Sequence, residues 1–159
     1  MSTRLFRLHV NGAVREVEAS ESVTLLDVLR GPLALVGTKA NCLEAECGVC
    51  TVLLDGRAVT ACLVLAAQCE DREVVTIEGL AEAGEPHPLQ SAFLEHGAVQ
   101  CGYCIPGMIM TAAGLLREKH DPDDEEIREA MAGTLCRCTG YGKIVAAIKA
   151  AARNMRQGR

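Results

Sequence analysis

Thr38–Cys50 reads TKANCLEAECGVC; its cysteines are spaced Cys42-x4-Cys47-x2-Cys50, and a fourth follows at Cys62. A C-x4-C-x2-C…C run is the ligand spacing of plant-type [2Fe–2S] centres, in which four thiolates hold two irons. Wrapping a chain around such a core needs tight turns whose N–H groups point at sulfur, and those hydrogen bonds raise the reduction potential by stabilising the added negative charge. Gly48 suits a turn of this kind because it takes positive φ without a steric penalty. Zinc also accepts four thiolates, but structural zinc uses paired short C-x2-4-C knuckles, and an x4–x2 triple is unusual for it.

On either side of this loop the chain has short-strand patterning. Residues 4–10 (RLFRLHV) and 13–18 (AVREVE) alternate around Asn11-Gly12, a strong hairpin signal. Thr24–Leu29 suits a short helix after a Ser22/Thr24 start, stopped by Gly31-Pro32. Thr51–Leu54 and Arg57–Cys62 read as strands around an Asp55-Gly56 turn, and Val74–Ile77 as one more. Two hairpins, a helix and a late strand predict a small mixed sheet wrapped on one helix.

From about Pro86 the periodicity becomes helical. One helix is expected over Leu89–His96, and a second from Pro106, placed at its first position, to about Lys119. Asp121-Pro122 predicts a third start, with Asp121 as cap, Pro122 at the first position and the following acids facing the positive helix end. A last helix carries Ile144, Ala147, Ile148, Ala151 and Met155 on one face. Glu82–Pro88 (EAGEPHP) is the natural linker, dividing the chain into residues 1–80 and 81–159. This half holds a second set of four cysteines, Cys101-x2-Cys104 and Cys136-x-Cys138. Read alone, that set is open to zinc, a thioredoxin-like pair or chance as well as a second [2Fe–2S] cluster. Thiolates near helix N-termini suit an anionic cluster, because the dipole and free N–H groups stabilise negative charge.

Eight of the nine cysteines thus fall into two sets of four in a chain of 159 residues without Trp. Halves this small have thin cores and lean on metals or partners for stability. A net charge of −5 argues against nucleic acid, which calls for a basic patch. Met1–Asn11 has no apolar export segment or cleavage site, so a reducing cytoplasm is expected, where paired thiols are metal ligands or redox groups. No apolar run has the length of a membrane span; Gly107–Leu116 (GMIMTAAGLL) reads as a buried helix.

The residues around the cysteines narrow the reading further. Gly37–Leu54 (GTKANCLEAECGVCTVLL), Gln100–Met110 (QCGYCIPGMIM) and Gly133–Ile144 (GTLCRCTGYGKI) resemble the iron–sulfur subunit of the molybdenum hydroxylase family. That family includes xanthine dehydrogenase, aldehyde oxidoreductases, aerobic carbon monoxide dehydrogenase, bacterial N-heterocycle hydroxylases and 4-hydroxybenzoyl-CoA reductase. The resemblance runs from the first strand to about Ala152. It implies an α+β chain: a ferredoxin-like β-grasp domain, then a four-helix [2Fe–2S]-binding domain. It also implies that Cys42, Cys47, Cys50 and Cys62 bind one [2Fe–2S] cluster and Cys101, Cys104, Cys136 and Cys138 the other. The implied partners are a large molybdopterin-binding subunit and an FAD-binding medium subunit. Electrons would pass from molybdenum through the helical-domain cluster, then the ferredoxin-like cluster, to FAD. Gln100 and Cys138 match positions beside the pterin, and the Asn41–Gly48 loop would lie toward the flavin or another acceptor.

Three places depart from the family pattern. Asn41 and Ala45 stand where the family usually has Gly, and Thr134 where it usually has Asn. Asn tolerates left-handed backbone, whereas Ala45 would be strained there. The remaining candidates read as structural. Cys69 is expected to be a buried thiol, His9, His87, His96 and His120 surface or cap residues, and Tyr103 and Tyr141 packing groups. The function expected is an electron-transfer subunit of a molybdopterin-dependent hydroxylase or dehydrogenase, with no catalytic residue and no activity alone. Its rivals are a free-standing ferredoxin-like carrier and a zinc-stabilised interaction module.

Overall fold

The computed structural model describes residues 3–81 and 84–158. The N-terminal half opens with β1 (Thr3–Val10) and β2 (Ala13–Ser20), paired antiparallel around Asn11-Gly12. Both turn residues have positive φ (53° and 73°), the type I′ combination whose twist matches the strands it joins. Asp55-Gly56 repeats it (50° and 82°) between β3 (Thr51–Leu54) and β4 (Arg57–Thr60). β5 (Glu73–Val75) inserts between the hairpins, parallel to β1 and antiparallel to β3, giving the order β2-β1-β5-β3-β4. α1 (Leu25–Arg30) covers one face of this sheet, and its Leu25, Leu26, Val28 and Leu29 join Phe6, Leu8, Val10, Val52, Leu54 and Val74 in one core. The Thr24 hydroxyl starts the helix by accepting from the Asp27 N–H at 3.1 Å.

Among the described residues the further α-helices are α2 (Pro88–Glu95), α3 (Ile105–Glu118), α4 (Asp124–Met131) and α5 (Gly142–Arg156). α3 is the centre of this half. It packs on α2 and α4, and it also lies against β3 and β4. All four residues of β3 are buried, because Leu53 points into the helical core while Val52 and Leu54 point into the N-terminal one. The approach is close. A Cβ on Gly114 of α3 would meet the Ala58 Cβ at 2.9 Å, and one on Gly107, two turns earlier on the same face, would meet the Gly48 carbonyl oxygen at 2.6 Å.

Several boundaries differ from the sequence reading. The strand expected to reach Cys62 stops at Thr60, so Ala61 and Cys62 leave the ladder. β5 ends at Val75, and the Ile77 expected in it instead opens a 3-10 turn, Ile77–Gly79. α3 begins at Ile105, with Pro106 following it inside the first turn. The cap of α4 is Asp123, not Asp121. The Asp123 carboxylate accepts from the Glu125 and Glu126 N–H groups, both at 3.0 Å, and Glu126 accepts from the Asp123 N–H, a closed capping box. Asp121 pairs instead with Arg156 near the end of α5, and Lys149 with Asp124 ties α5 to α4. Of the linker expected at Glu82–Pro88, Glu82 and Ala83 lie outside the described residues. Among the described residues no helix is long and apolar enough to cross a membrane.

Candidate iron–sulfur centres

The first ligand loop leaves α1 and ends at β3, and its shape comes from left-handed residues. Leu43 (φ 63°), Ala45 (φ 62°) and Gly48 (φ 68°) all adopt that conformation. The retained geometry at Ala45 is the strained one; each non-glycine residue there costs about 1–2 kcal/mol. Nothing in the sequence singles out Leu43, and among the described residues Asn41 is not left-handed. The loop turns N–H groups inward: the Cys47 N–H donates to the Cys42 sulfur at 3.4 Å, and those of Glu44 and Glu46 face it. Such a concavity of amides favours an anion. The Glu44 N–H, then the Cys47 side chain and N–H, bring the Cys42 thiol down to about 7.

Cys42 and Cys47 are in side-chain contact, as are Cys50 and Cys62, which arrives just past β4. Cys47, Cys50 and Cys62 are buried while Cys42 is half-buried. Burial pushes the Cys50 thiol up to about 12 against the opposing Cys62 N–H.

The second set gathers at two helix starts. Cys104 is the N-cap of α3, while Cys136 and Cys138 precede α5, whose own N-cap is the left-handed Tyr141 (φ 66°). The four side chains again interact in twos, Cys104 with Cys136 and Cys101 with Cys138. All four line one cavity of about 210 Å³, together with Cys47 and Asn41 from the first loop. Burial pushes the Cys104 thiol up to about 12. Burial would also push Cys136 up, but the Thr139 hydroxyl (3.1 Å) and N–H (3.5 Å), with the Cys138 N–H and the Cys104 side chain, together hold that thiol low. The Cys138 thiol is raised by its bond with Cys101. Cys101 and Cys138 are exposed, and so is Gln100 beside them.

The residues fit binuclear clusters. The cysteine side chains sit two and two, as four thiolates sharing two irons require, with amide and hydroxyl donors aimed at them. Cys69 is fully buried in the N-terminal core that Cys50 and Cys62 also join; burial pushes its thiol up to about 11, and its S–H donates to the Leu65 carbonyl.

The two tyrosines do more than pack. Tyr103, between Cys101 and Cys104, donates to the Ala40 carbonyl at 2.5 Å and so links the two loops. The Tyr141 hydroxyl accepts from the Cys136 N–H at 2.7 Å and donates to the Thr134 carbonyl at 3.1 Å. The Leu135 N–H donates to the Cys47 carbonyl at 3.0 Å, a second link. Thr139 could have been suspected from its position three residues after Cys136, where a hydroxyl can fold back; nothing in the sequence points to Leu135.

Comparison with known proteins finds two iron–sulfur domains along the chain. The family described as "2Fe-2S iron-sulfur cluster binding domain" matches residues 8–81, and the one described as "[2Fe-2S] binding domain" matches residues 76–149. The nicotinate dehydrogenase small FeS subunit of Eubacterium barkeri is 50% identical over 149 residues, covering 94% of this chain and 95% of that one. The nicotine 6-hydroxylase small subunit of Paenarthrobacter nicotinovorans is 47% identical over 141 residues, covering 89% and 85%. Among solved structures, a chain of quinoline 2-oxidoreductase from Pseudomonas putida 86 superposes with a TM-score of 0.93 at 40% identity, covering 98% of both chains. Aldehyde oxidoreductase from Desulfovibrio gigas gives 0.93 at 38% identity, with this chain matching 18% of that longer one. The chain belongs to the iron–sulfur subunits of the molybdenum hydroxylase family, with two [2Fe–2S] domains.

Proposed function

We propose that Cys42, Cys47, Cys50 and Cys62 hold one [2Fe–2S] cluster and that Cys101, Cys104, Cys136 and Cys138 hold the second, in a chain that divides near residues 80 and 81. The observation that carries this is that Cys101, Cys104, Cys136 and Cys138 line one cavity, while the cysteine side chains of both sets interact in twos, Cys42 with Cys47, Cys50 with Cys62, Cys104 with Cys136 and Cys101 with Cys138. When bound, such a cluster takes up and releases single electrons. The chain's own residues supply the rest. Thiolates bind, the Glu44, Glu46 and Cys47 N–H groups and Thr139 stabilise negative charge, and burial of Cys47, Cys50, Cys62 and Cys104 limits water.

The protein is accordingly an electron-transfer subunit of a molybdopterin-dependent hydroxylase or dehydrogenase, with no catalytic residue of its own. Within that role, Gln100 and Cys138, both exposed, face a large molybdopterin-binding subunit. The Asn41–Gly48 loop lies toward an FAD-binding medium subunit or another acceptor, and the assembly works in the cytoplasm. The naming of several relatives as subunits supports this reading over a free-standing carrier. The test is metal analysis of the purified protein. About four irons and four sulfides per chain are expected from two two-iron centres. Stoichiometric zinc without visible absorbance would overturn the assignment.

A further inference from the structure

The two ligand loops meet the first turns of α3 at a junction with no spare room. A Cβ on Gly48 would lie 2.3 Å from the Gly133 carbonyl oxygen and 2.8 Å from the Thr134 Cα. One on Gly107 would lie 2.6 Å from the Gly48 carbonyl oxygen and 2.9 Å from the Val49 Cα. Beside these contacts runs the Leu135 N–H bond to the Cys47 carbonyl.

Thr134 is buried in this junction at 1% exposure. Its hydroxyl lies 3.0 Å from that of Thr111, which lies 2.9 Å from the Gly107 carbonyl. A carbonyl only accepts, so Thr111 donates its proton to Gly107 and Thr134 must donate to Thr111. The relay therefore runs from the second ligand loop, through Thr111, to the helical turn against which the first loop rests. Neither hydroxyl bonds a cysteine sulfur among the described residues, so any effect on the centres travels through geometry.

We propose that Thr134 and Thr111 are positioning residues that hold the Cys42–Cys50 loop and the Gly133–Cys138 loop at one fixed separation, and so set the coupling between the redox centres. This rests on the reading above that each loop carries a [2Fe–2S] cluster. A buried hydroxyl deprived of its partner is costly, so the relay resists sliding of one loop past the other.

The test uses Thr134→Val and Thr111→Val, both close to isosteric, in the full chain within its purified complex, after iron and sulfide analysis. The first readout is the EPR spin–spin splitting with both clusters reduced, which depends on their separation and orientation. The second is hydrogen-exchange protection of the Leu135 amide. The splitting should change in both variants, and the Leu135 amide should exchange about ten-fold faster. Amides of β1 and β2 should keep their protection, and Thr134→Ser, which retains the donor, should restore both signals. Unchanged splitting and Leu135 protection in the valine variants would overturn the proposal. Uniform loss of protection across the chain would overturn it too, since that marks a general packing defect. If Thr111→Val fails to assemble, Thr134→Val decides, because it leaves Thr111 bonded to Gly107. Wild-type protein without iron would sink the cluster assignment itself, whereas full iron with unaltered splitting sinks only this inference.

Discussion

Replacing Gly107 by alanine sets two physical effects against each other, and the structure fixes which one wins. In a helix this change is favourable by about 1 kcal/mol, because glycine has more backbone entropy to lose. Here the new methyl would stand 2.6 Å from the Gly48 carbonyl oxygen, 2.9 Å from the Val49 Cα and 3.1 Å from the Val49 carbonyl carbon. All three are backbone atoms, so no side chain can swing aside. Overpacking costs typically 1–3 kcal/mol, and a backbone clash of this depth belongs at the upper end. The net expectation is a loss of about 2 kcal/mol, a factor of roughly 30 in the local folded-to-unfolded ratio. The clash lies between the first turn of α3, capped by Cys104, and the loop of Cys47. The loss should therefore register at both centres. The assay is the rate at which visible absorbance bleaches in the presence of a chelator, with Gly142→Ala as control. A Cβ on Gly142 meets nothing within 4 Å, so that variant should match or slightly exceed wild type. A Gly107→Ala protein with wild-type bleaching and full iron content would refute the reasoning.

Three further outcomes are expected. Cys62→Ser should remove or perturb one EPR signal and Cys104→Ser the other, while Cys69→Ser, outside both sets, should keep both; loss of both signals from Cys69→Ser would show the spare cysteine misassigned. Ala45→Gly should raise the thermal midpoint of the cluster-loaded protein. Removing about 1–2 kcal/mol of left-handed strain outweighs the glycine entropy cost of roughly 0.5–1 kcal/mol, and a lowered midpoint would contradict this. The third concerns pH. Arg4 pairs with Glu70 at 2.7 Å, and this pairing holds the Glu70 carboxyl below its ordinary value. A depressed carboxylate adds stability above its unfolded-state pKa, and that contribution disappears as pH falls through the folded-state value. Glu70→Gln should therefore lower stability at neutral pH and flatten the acid limb of the stability–pH curve; an unchanged acid limb would show that the pair contributes nothing.

Much of this protein is local, and the local parts were legible. The Asn11-Gly12 and Asp55-Gly56 turns need only two residues with positive φ, so each hairpin could be read from a dipeptide and the alternation beside it. The start of α1 near Ser22 or Thr24, the helical run of α3 to within a residue of its start and its buried face follow from patterns within a few turns of chain. Where competing local signals existed, sequence reading chose wrongly. Asp121 and Asp123 are both capping residues in type; Asp123 caps because Glu126 lies three residues on and closes the box, which frees Asp121 to meet Arg156 from another helix. The Ala45 strain could be stated in advance only as conditional, and Leu43 in the same conformation carried no signal at all.

By itself the sequence determined the number and type of sulfur donors, their division into two sets and the two hairpins, because each of these is a matter of residue identity at short spacing. It did not determine which cysteine side chains interact. The contacts of Cys50 with Cys62 and of Cys104 with Cys136 join residues far apart in the chain, and only folding brings them together. Nor did it determine the insertion of β5 between the hairpins, the seating of α3 on the back of β3 and β4, or the bond from the Leu135 N–H to the Cys47 carbonyl. A backbone amide looks the same at every position of a sequence. Its direction is set by the packing of glycines and buried hydroxyls around it, and that packing exists only once both halves are in place.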